Sequence, residues 1–267
     1  MPALSLALSG AHHVGDTGPG GTRAVVDLLR TDGIATVGGL DSRTKVLAFA
    51  GRVMTLVPHR DSDADGLTTI QDIGRRSLRP GLSGLGAGEL PAHTERSSVP
   101  WPPQLMLLVC LLPADRGGEV LLTDGRDVHA HLAAHAPEAL EALAQPGTAF
   151  YGDGGGHTAQ VFTRHPGGRM SVRLRQDALA QFSPLVRRYL PDLTHAITMT
   201  QRRALLGRGQ GYLIDNHRWL HARTAFTGRR VCLRALGTPR TPLPDGFTTR
   251  PPGRKDTQHP DRERGTC

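Results

Sequence analysis

Leu105 to Leu112, LMLLVCLL, runs through eight positions without one polar side chain. A strand with one wet face alternates apolar and polar residues, so an unbroken run of this length suits a strand buried on both faces. Shorter strand-like runs surround it at residues 34–37, 67–70, 119–123, 212–214 and 230–236. Residues 161–172 read as strand, HPGG turn and strand, and residues 45–56 as a hairpin-like pair. Helical spacing is confined to residues 22–32, to 127–143 (divided near Pro137) and to 179–206, broken around Pro191. Many short strands with helical inserts predict a mainly β fold with flanking helices, a sandwich or jelly roll. The expected organisation is a ragged N-terminus over 1–20, a single domain over 21–239 and a disordered tail over 240–267, where proline and charge leave little to pack.

The formal charge is +8, which raises nucleic acid as a partner. The arginines are scattered, however, only Lys45 and Lys255 are lysines, and aromatic residues for base stacking are few. No nucleic-acid partner is expected. No apolar run reaches the length of a membrane span, and the N-terminal apolar patch lacks a basic leader region, so a cytoplasmic protein without a membrane partner is expected. Cys110, Cys232 and Cys267 are odd in number and widely spaced, which suits reduced thiols.

Two motifs carry chemistry. In Pro91-Ala92-His93-Thr94-Glu95-Arg96, His93 and Glu95 stand two residues apart, and an extended backbone points both side chains to one face. In Asp215-Asn216-His217-Arg218-Trp219-Leu220-His221-Ala222-Arg223, a second imidazole is on offer. Two imidazoles and a carboxylate are the donor set that holds Fe(II) on one face of an octahedron and leaves the other positions open. Arg230 and Arg234 follow, four apart on one face of a strand, and an arginine fork binds a carboxylate bidentately. A dicarboxylate such as 2-oxoglutarate needs a metal for one end and an arginine for the other.

HTE, about 125 residues, then DNHRWLHARTAF and RRVCLR resembles the taurine dioxygenase/clavaminate synthase superfamily of Fe(II)/2-oxoglutarate oxygenases over about residues 33–239. The resemblance implies a double-stranded β-helix with His93, Glu95 and His221 as catalytic iron ligands. It implies Arg230 on the 5-carboxylate of 2-oxoglutarate, and Arg234 nearer the substrate or the 1-carboxylate. Glu95, where much of the superfamily has Asp, is more similar to the amino-acid hydroxylase branch. The function implied is a dioxygenase that hydroxylates a free or carrier-bound amino acid or a related small metabolite, in specialised-metabolite (antibiotic-type) biosynthesis. The alternatives are a catalytically silent jelly-roll binding protein and an oxygenase acting on nucleic acid. One departure leans toward the silent protein. Val120 stands where the family usually has a threonine on 2-oxoglutarate, and Thr123, three residues on, faces the other way in a regular strand.

Other histidines and loops carry less. His129, His131 and His135 could form a zinc cluster, but no carboxylate or cysteine accompanies them, and they read as a solvated helix face. His217 is expected beside the metal ligands, supporting them without binding. YGDGGGH at 151–157 lacks the Lys-Ser/Thr of a phosphate loop and reads as a lid or a long turn. Asp61, Asp63, Asp65, Gln71 and Asp72 are candidates for meeting a substrate amine, or ordinary loop polarity.

Overall fold

The computed structural model describes residues 4–5, 12–15 and 18–249. Two sheets face each other. The larger runs in the order His13–Val14, Ile34–Val37, Gly211–Asp215, Leu105–Leu112, Val231–Pro239 and Met54–Leu56, with Thr68–Ile70 also pairing onto Val231–Pro239. The smaller runs Leu4–Ser5, Arg202–Ala204, Val120–Asp124, Trp219–Arg223 and Leu90–His93. Most pairings are antiparallel, and both terminal pairs (4–5 on 202–203, 13–14 on 36–37) are parallel.

The buried apolar strand shows why four layers form. Leu105, Leu107 and Val109 point to the Pro19–Thr31 and Arg43–Val53 helices, packing with Val25, Leu29, Phe49 and Val53. Met106 and Cys110 point the other way, between the sheets, with Val120, Leu122, Tyr212 and Trp219. The far face of the smaller sheet is covered by the Gly125–His135, Pro137–Leu143 and Leu190–Thr200 helices through Val128, Leu132, Leu143 and Leu193. The fold is the expected jelly roll between two helical layers.

Three expectations are corrected. Residues 45–56 are no hairpin: Arg43–Val53 is a helix, capped by Ser42, whose side chain accepts from the Lys45 N–H. Its buried residues, Val46, Phe49, Ala50 and Val53, keep helical spacing, and only Met54–Leu56 is strand. The long helical stretch at 179–206 breaks into Ala180–Phe182 strand, two helices at Pro184–Arg187 and Leu190–Thr200, and Arg202–Ala204 strand. Pairing of those strands with neighbours distant in sequence overrides local propensity. Finally, the tail begins later than Pro239. Phe247–Thr248 pairs with Arg169–Val172, and Phe247 is fully buried because the outer core offers it an apolar socket. The rest of the expected tail, 250–267, lies outside the described residues.

The turn into the second metal motif holds a titrating carboxyl. Asp215 is buried, its Oδ1 accepts from the His217 N–H at 2.9 Å, and burial raises its pKa to about 7. A raised pKa means the folded state holds the proton more tightly, so the associated stability is full below 3.8 and is lost as pH rises to about 7. Asp215→Asn keeps an acceptor for His217 and removes the titration. It is expected to gain thermal stability over wild type at pH 8, with the advantage shrinking as pH falls below about 7 and vanishing near 3.8. Equal wild-type and variant pH profiles of the melting temperature would contradict this.

Candidate metal centre

The smaller sheet assembles the three ligand candidates. His221 on Trp219–Arg223 stands directly opposite His93 on Leu90–His93 in antiparallel register, and their ring centroids are 4.1 Å apart. Glu95 follows just past the strand end, with Oε1 3.4 Å from His221 Nε2. One ligand atom from each of the three lies within 4.8 Å of the others. The predicted trio is therefore together. Glu95 and His221 are buried and His93 half-buried.

The protonation states suit a cation. The Pro91 carbonyl, 2.8 Å from His93 Nδ1, can only accept, so Nδ1 carries the proton and Nε2 is left with its lone pair. Burial and the neighbouring His221 push the His93 pKa down to about 3, so the ring is neutral at neutral pH. Burial alone would raise the Glu95 carboxyl, but Arg234 and the two imidazoles hold it well below the usual range. A buried anion flanked by two imidazoles is a fitting donor set for a divalent transition metal.

The backbone that carries Glu95 is fixed by a residue the sequence reading did not single out. Asn216 Oδ1 accepts from the Glu95 N–H at 2.7 Å, while its Nδ2 donates to the carbonyls of Glu95 and Pro103. Arg96, next along, has φ 52, a left-handed conformation that costs a non-glycine residue energy. The expectation for His217 is corrected accordingly. Its Nε2 faces the Pro102 carbonyl at 3.2 Å in the turn, and the side chain that braces the ligand segment is Asn216. The sequence signal was that Asn216 belongs to the second motif, two residues before the turn's Arg218.

Two cavities meet at His93 and Glu95. The smaller is lined by Leu108, Val120, Tyr212, Ala222, Arg223, Arg230 and Arg234 together with His93, Glu95 and His221. Arg230 is buried there. Arg234 Nη1 donates to both Glu95 oxygens at 2.8 and 3.0 Å, so it touches a ligand candidate directly. Val120 lines this cavity and Thr123 does not, as strand alternation predicts. Arg223 is a further arginine on the wall, clamped by the Gly86 and Gly88 carbonyls at 2.6 Å each.

The larger cavity, about 350 Å³, opens from the trio toward solvent. Of the candidates at 61, 63, 65, 71 and 72, Asp61 alone lines it. Asp63 and Asp65 are held by Arg43, while Gln71 and Asp72 are exposed. Arg175 and Asp177 form a bidentate pair on its wall at 2.5 and 2.7 Å, and Gln176 Nε2 donates to the Ala92 carbonyl beside His93. These three were missed, because nothing in RLRQD marks them before the chain folds. The 152–156 loop joins Ala149–Tyr151 to His157–Ala159 and contributes Gly152, Asp153, Gly155 and Gly156 to the wall. Gly152 has φ 125, and a Cβ on Gly156 would collide with the Tyr151 carbonyl. His131 and His135 stack on the helix surface with His195 nearby, while His129 packs edge-on against Phe162.

With this geometry in hand, the chain belongs to a class of oxygen-using enzymes. Residues 12–236 match the model of the taurine catabolism dioxygenase TauD, TfdA family, and the chain is a member of that family. Among solved structures it is similar to an asparagine oxygenase in complex with Fe(II), 2S,3S-3-hydroxyasparagine and succinate, with 17% identity, TM-score 0.67, and 82% of this chain and 79% of that one covered. It is also similar to the non-heme iron oxygenase OrfP in complex with Fe and alpha-ketoglutaric acid, with 19% identity, TM-score 0.60 and 82% of each chain covered. A search of curated proteins by sequence finds no match. Among the described residues no helix is long and apolar enough to cross a membrane.

Proposed function

We propose that this dioxygenase hydroxylates an amino acid or amino-acid-like metabolite, using Fe(II) held by His93, Glu95 and His221 with 2-oxoglutarate as cosubstrate. The observation that carries the reading is the juxtaposition of the trio with a small cavity containing Arg230 and Arg234. Iron bound there supplies the oxidising chemistry, in which O2 is consumed, 2-oxoglutarate becomes succinate and CO2, and a substrate C–H becomes C–OH. The chain's own residues do the rest. His93 and His221 present imidazole nitrogens, and Glu95 supplies the balancing charge. Arg230 takes the distal carboxylate of 2-oxoglutarate as a buried guanidinium. Apolar Val120, Leu108 and Tyr212 exclude water from the cosubstrate's chain.

The larger cavity supports a zwitterionic substrate, because Asp61, Arg96, Arg175 and Asp177 offer both signs of charge around it. The asparagine and arginine derivatives bound by the similar structures are of that class. A carrier-bound form of the amino acid and a cytoplasmic setting belong to the same reading, the latter supported by the free thiols of Cys110 and Cys232.

Anaerobic titration of the metal-free protein with Fe(II) and then 2-oxoglutarate tests it, through the visible charge-transfer band of the chelate. The band is expected in wild type and lost in His93→Ala. Arg230→Ala is expected to need about a hundredfold more 2-oxoglutarate, the scale of a lost buried ion pair. No band in folded wild type would leave the silent binding protein as the better account.

A further inference from the structure

Cys110 and Cys232 face each other across the centre of the larger sheet. They are register partners on the antiparallel strands Leu105–Leu112 and Val231–Pro239. The Cys110 N–H donates to the Gln210 carbonyl at 2.9 Å, and its own carbonyl accepts from the Gly209 N–H at 2.7 Å. Both of its backbone groups thus point away from the Val231–Pro239 strand. The two cysteines are therefore a non-hydrogen-bonded pair, the kind in which Cα atoms lie about 4.5 Å apart and side chains approach most closely. That separation falls within the roughly 4.4–6.8 Å a disulfide spans. Both thiols point into the same inter-sheet core, with Val120 and Tyr212.

Their position matters as much as their spacing. Cys232 stands two residues before Arg234 on one strand face and two residues after Arg230, which just precedes the strand, and Leu108, two residues before Cys110, is the register partner of Arg234. Arg230, Arg234, Leu108, Val120 and Tyr212 all line the small cavity beside the metal trio. The thiol pair lies directly beneath that wall.

We propose that Cys110 and Cys232 are a modification site, a dithiol that peroxide closes to a disulfide and that reshapes the cosubstrate cavity when it closes. The cavity part of this rests on the function proposed above, whereas the cross-link itself does not. The two thiols face each other as register partners, so either can react first. The first thiolate attacks hydrogen peroxide, forming S–O and breaking O–O, and the released hydroxide leaves as water with that thiol's proton. The partner sulfur then attacks the sulfenic sulfur, forming S–S and breaking S–O, and the hydroxyl departs with the partner's proton as a second water. Two electrons pass from sulfur to peroxide, and nothing else is consumed. Contracting the thiol contact to a bond of about 2.05 Å draws the start of the 231–239 strand toward its neighbour and moves the two flanking arginines.

The test is treatment of the folded, metal-free full-length protein with hydrogen peroxide, followed by alkylation in denaturant and digestion without reductant. A peptide pair joined through Cys110 and Cys232 is expected in wild type and in Cys267→Ser, and is expected to vanish in Cys232→Ser. Both thiols alkylated, or over-oxidised separately, would overturn the proposal. After oxidation and metal reloading, 2-oxoglutarate affinity is expected to fall about tenfold and to recover with a thiol reductant, while Cys232→Ser stays unaffected. A mapped cross-link with unchanged affinity would overturn the coupling to the cavity. If reduced wild type fails to bind 2-oxoglutarate at all, the proposed function falls, and the mapped cross-link still decides the cysteine pair.

Discussion

Glu95→Gln is expected to lower turnover at least a thousandfold and to weaken Fe(II) binding by more than the ten- to hundredfold that follows loss of an outer partner. The substitution keeps the shape of the side chain and removes its charge. That charge now serves two cations: the metal proposed for the trio, and Arg234, which donates to both carboxylate oxygens. Gln at 95 offers one carbonyl oxygen and one amide nitrogen, so a donor would face either the metal or the Arg234 guanidinium. Arg234 would also be left partly buried without a counter-charge, which destabilises the apo protein. Isothermal titration with Fe(II) and a thermal melt of the apo protein separate the two effects. Near-wild-type metal affinity would exclude Glu95 as a ligand.

A second large effect lies away from the trio. Arg218 and Asp124 form a bidentate pair at 3.0 and 2.7 Å, with side-chain exposures of 4% and 1%. Arg218 also donates to the Thr31 carbonyl, and Asp124 caps the Gly125–His135 helix by accepting from the Arg126 N–H. The pair thus ties the turn before the His221 strand to the helical layers on both sides. Arg218→Met is expected to cost about 3–5 kcal/mol, because it removes the bidentate partner of a buried carboxylate and leaves it only the longer contact to Arg126 at 3.5 Å. In a chain of this size that is a fall of about 10 °C or more in melting temperature. The double variant Arg218→Met, Asp124→Leu is expected to recover much of the loss, since it removes the orphaned charge as well. A double variant no more stable than the single would show that the cost came from lost packing or helix capping.

What was readable in advance divides along a physical line. The double burial of LMLLVCLL follows from local composition, and it correctly called for layers on both sides of one sheet. The meeting of His93 with Glu95 was legible from a two-residue spacing, and their meeting with His221 only from the resemblance. The helix at Arg43–Val53 was misread, although its cap and its i, i+3, i+4 apolar pattern were present, because KVLAFAGRVMTL also scans as alternating strand. The break-up of 179–206 was not legible at all. Ala180–Phe182 and Arg202–Ala204 are strands only because partners at 149–151 and 120–122 are waiting for them. The same holds for Asn216 and for Gln176, whose roles arise from contacts with Glu95 and Ala92 on segments scores of residues apart.

The loop at 152–156 has a consequence for how such an enzyme diversifies. Four of its five residues are glycine, and at 152, 154 and 156 a side chain is opposed by positive φ or by collision with the backbone. Asp153 is the one side chain the loop holds out at the cavity wall. Heritable change in what this wall recognises is thereby funnelled into very few codons. A lineage altering its substrate could do so by single steps at 153, with the loop's path preserved by the glycines on either side.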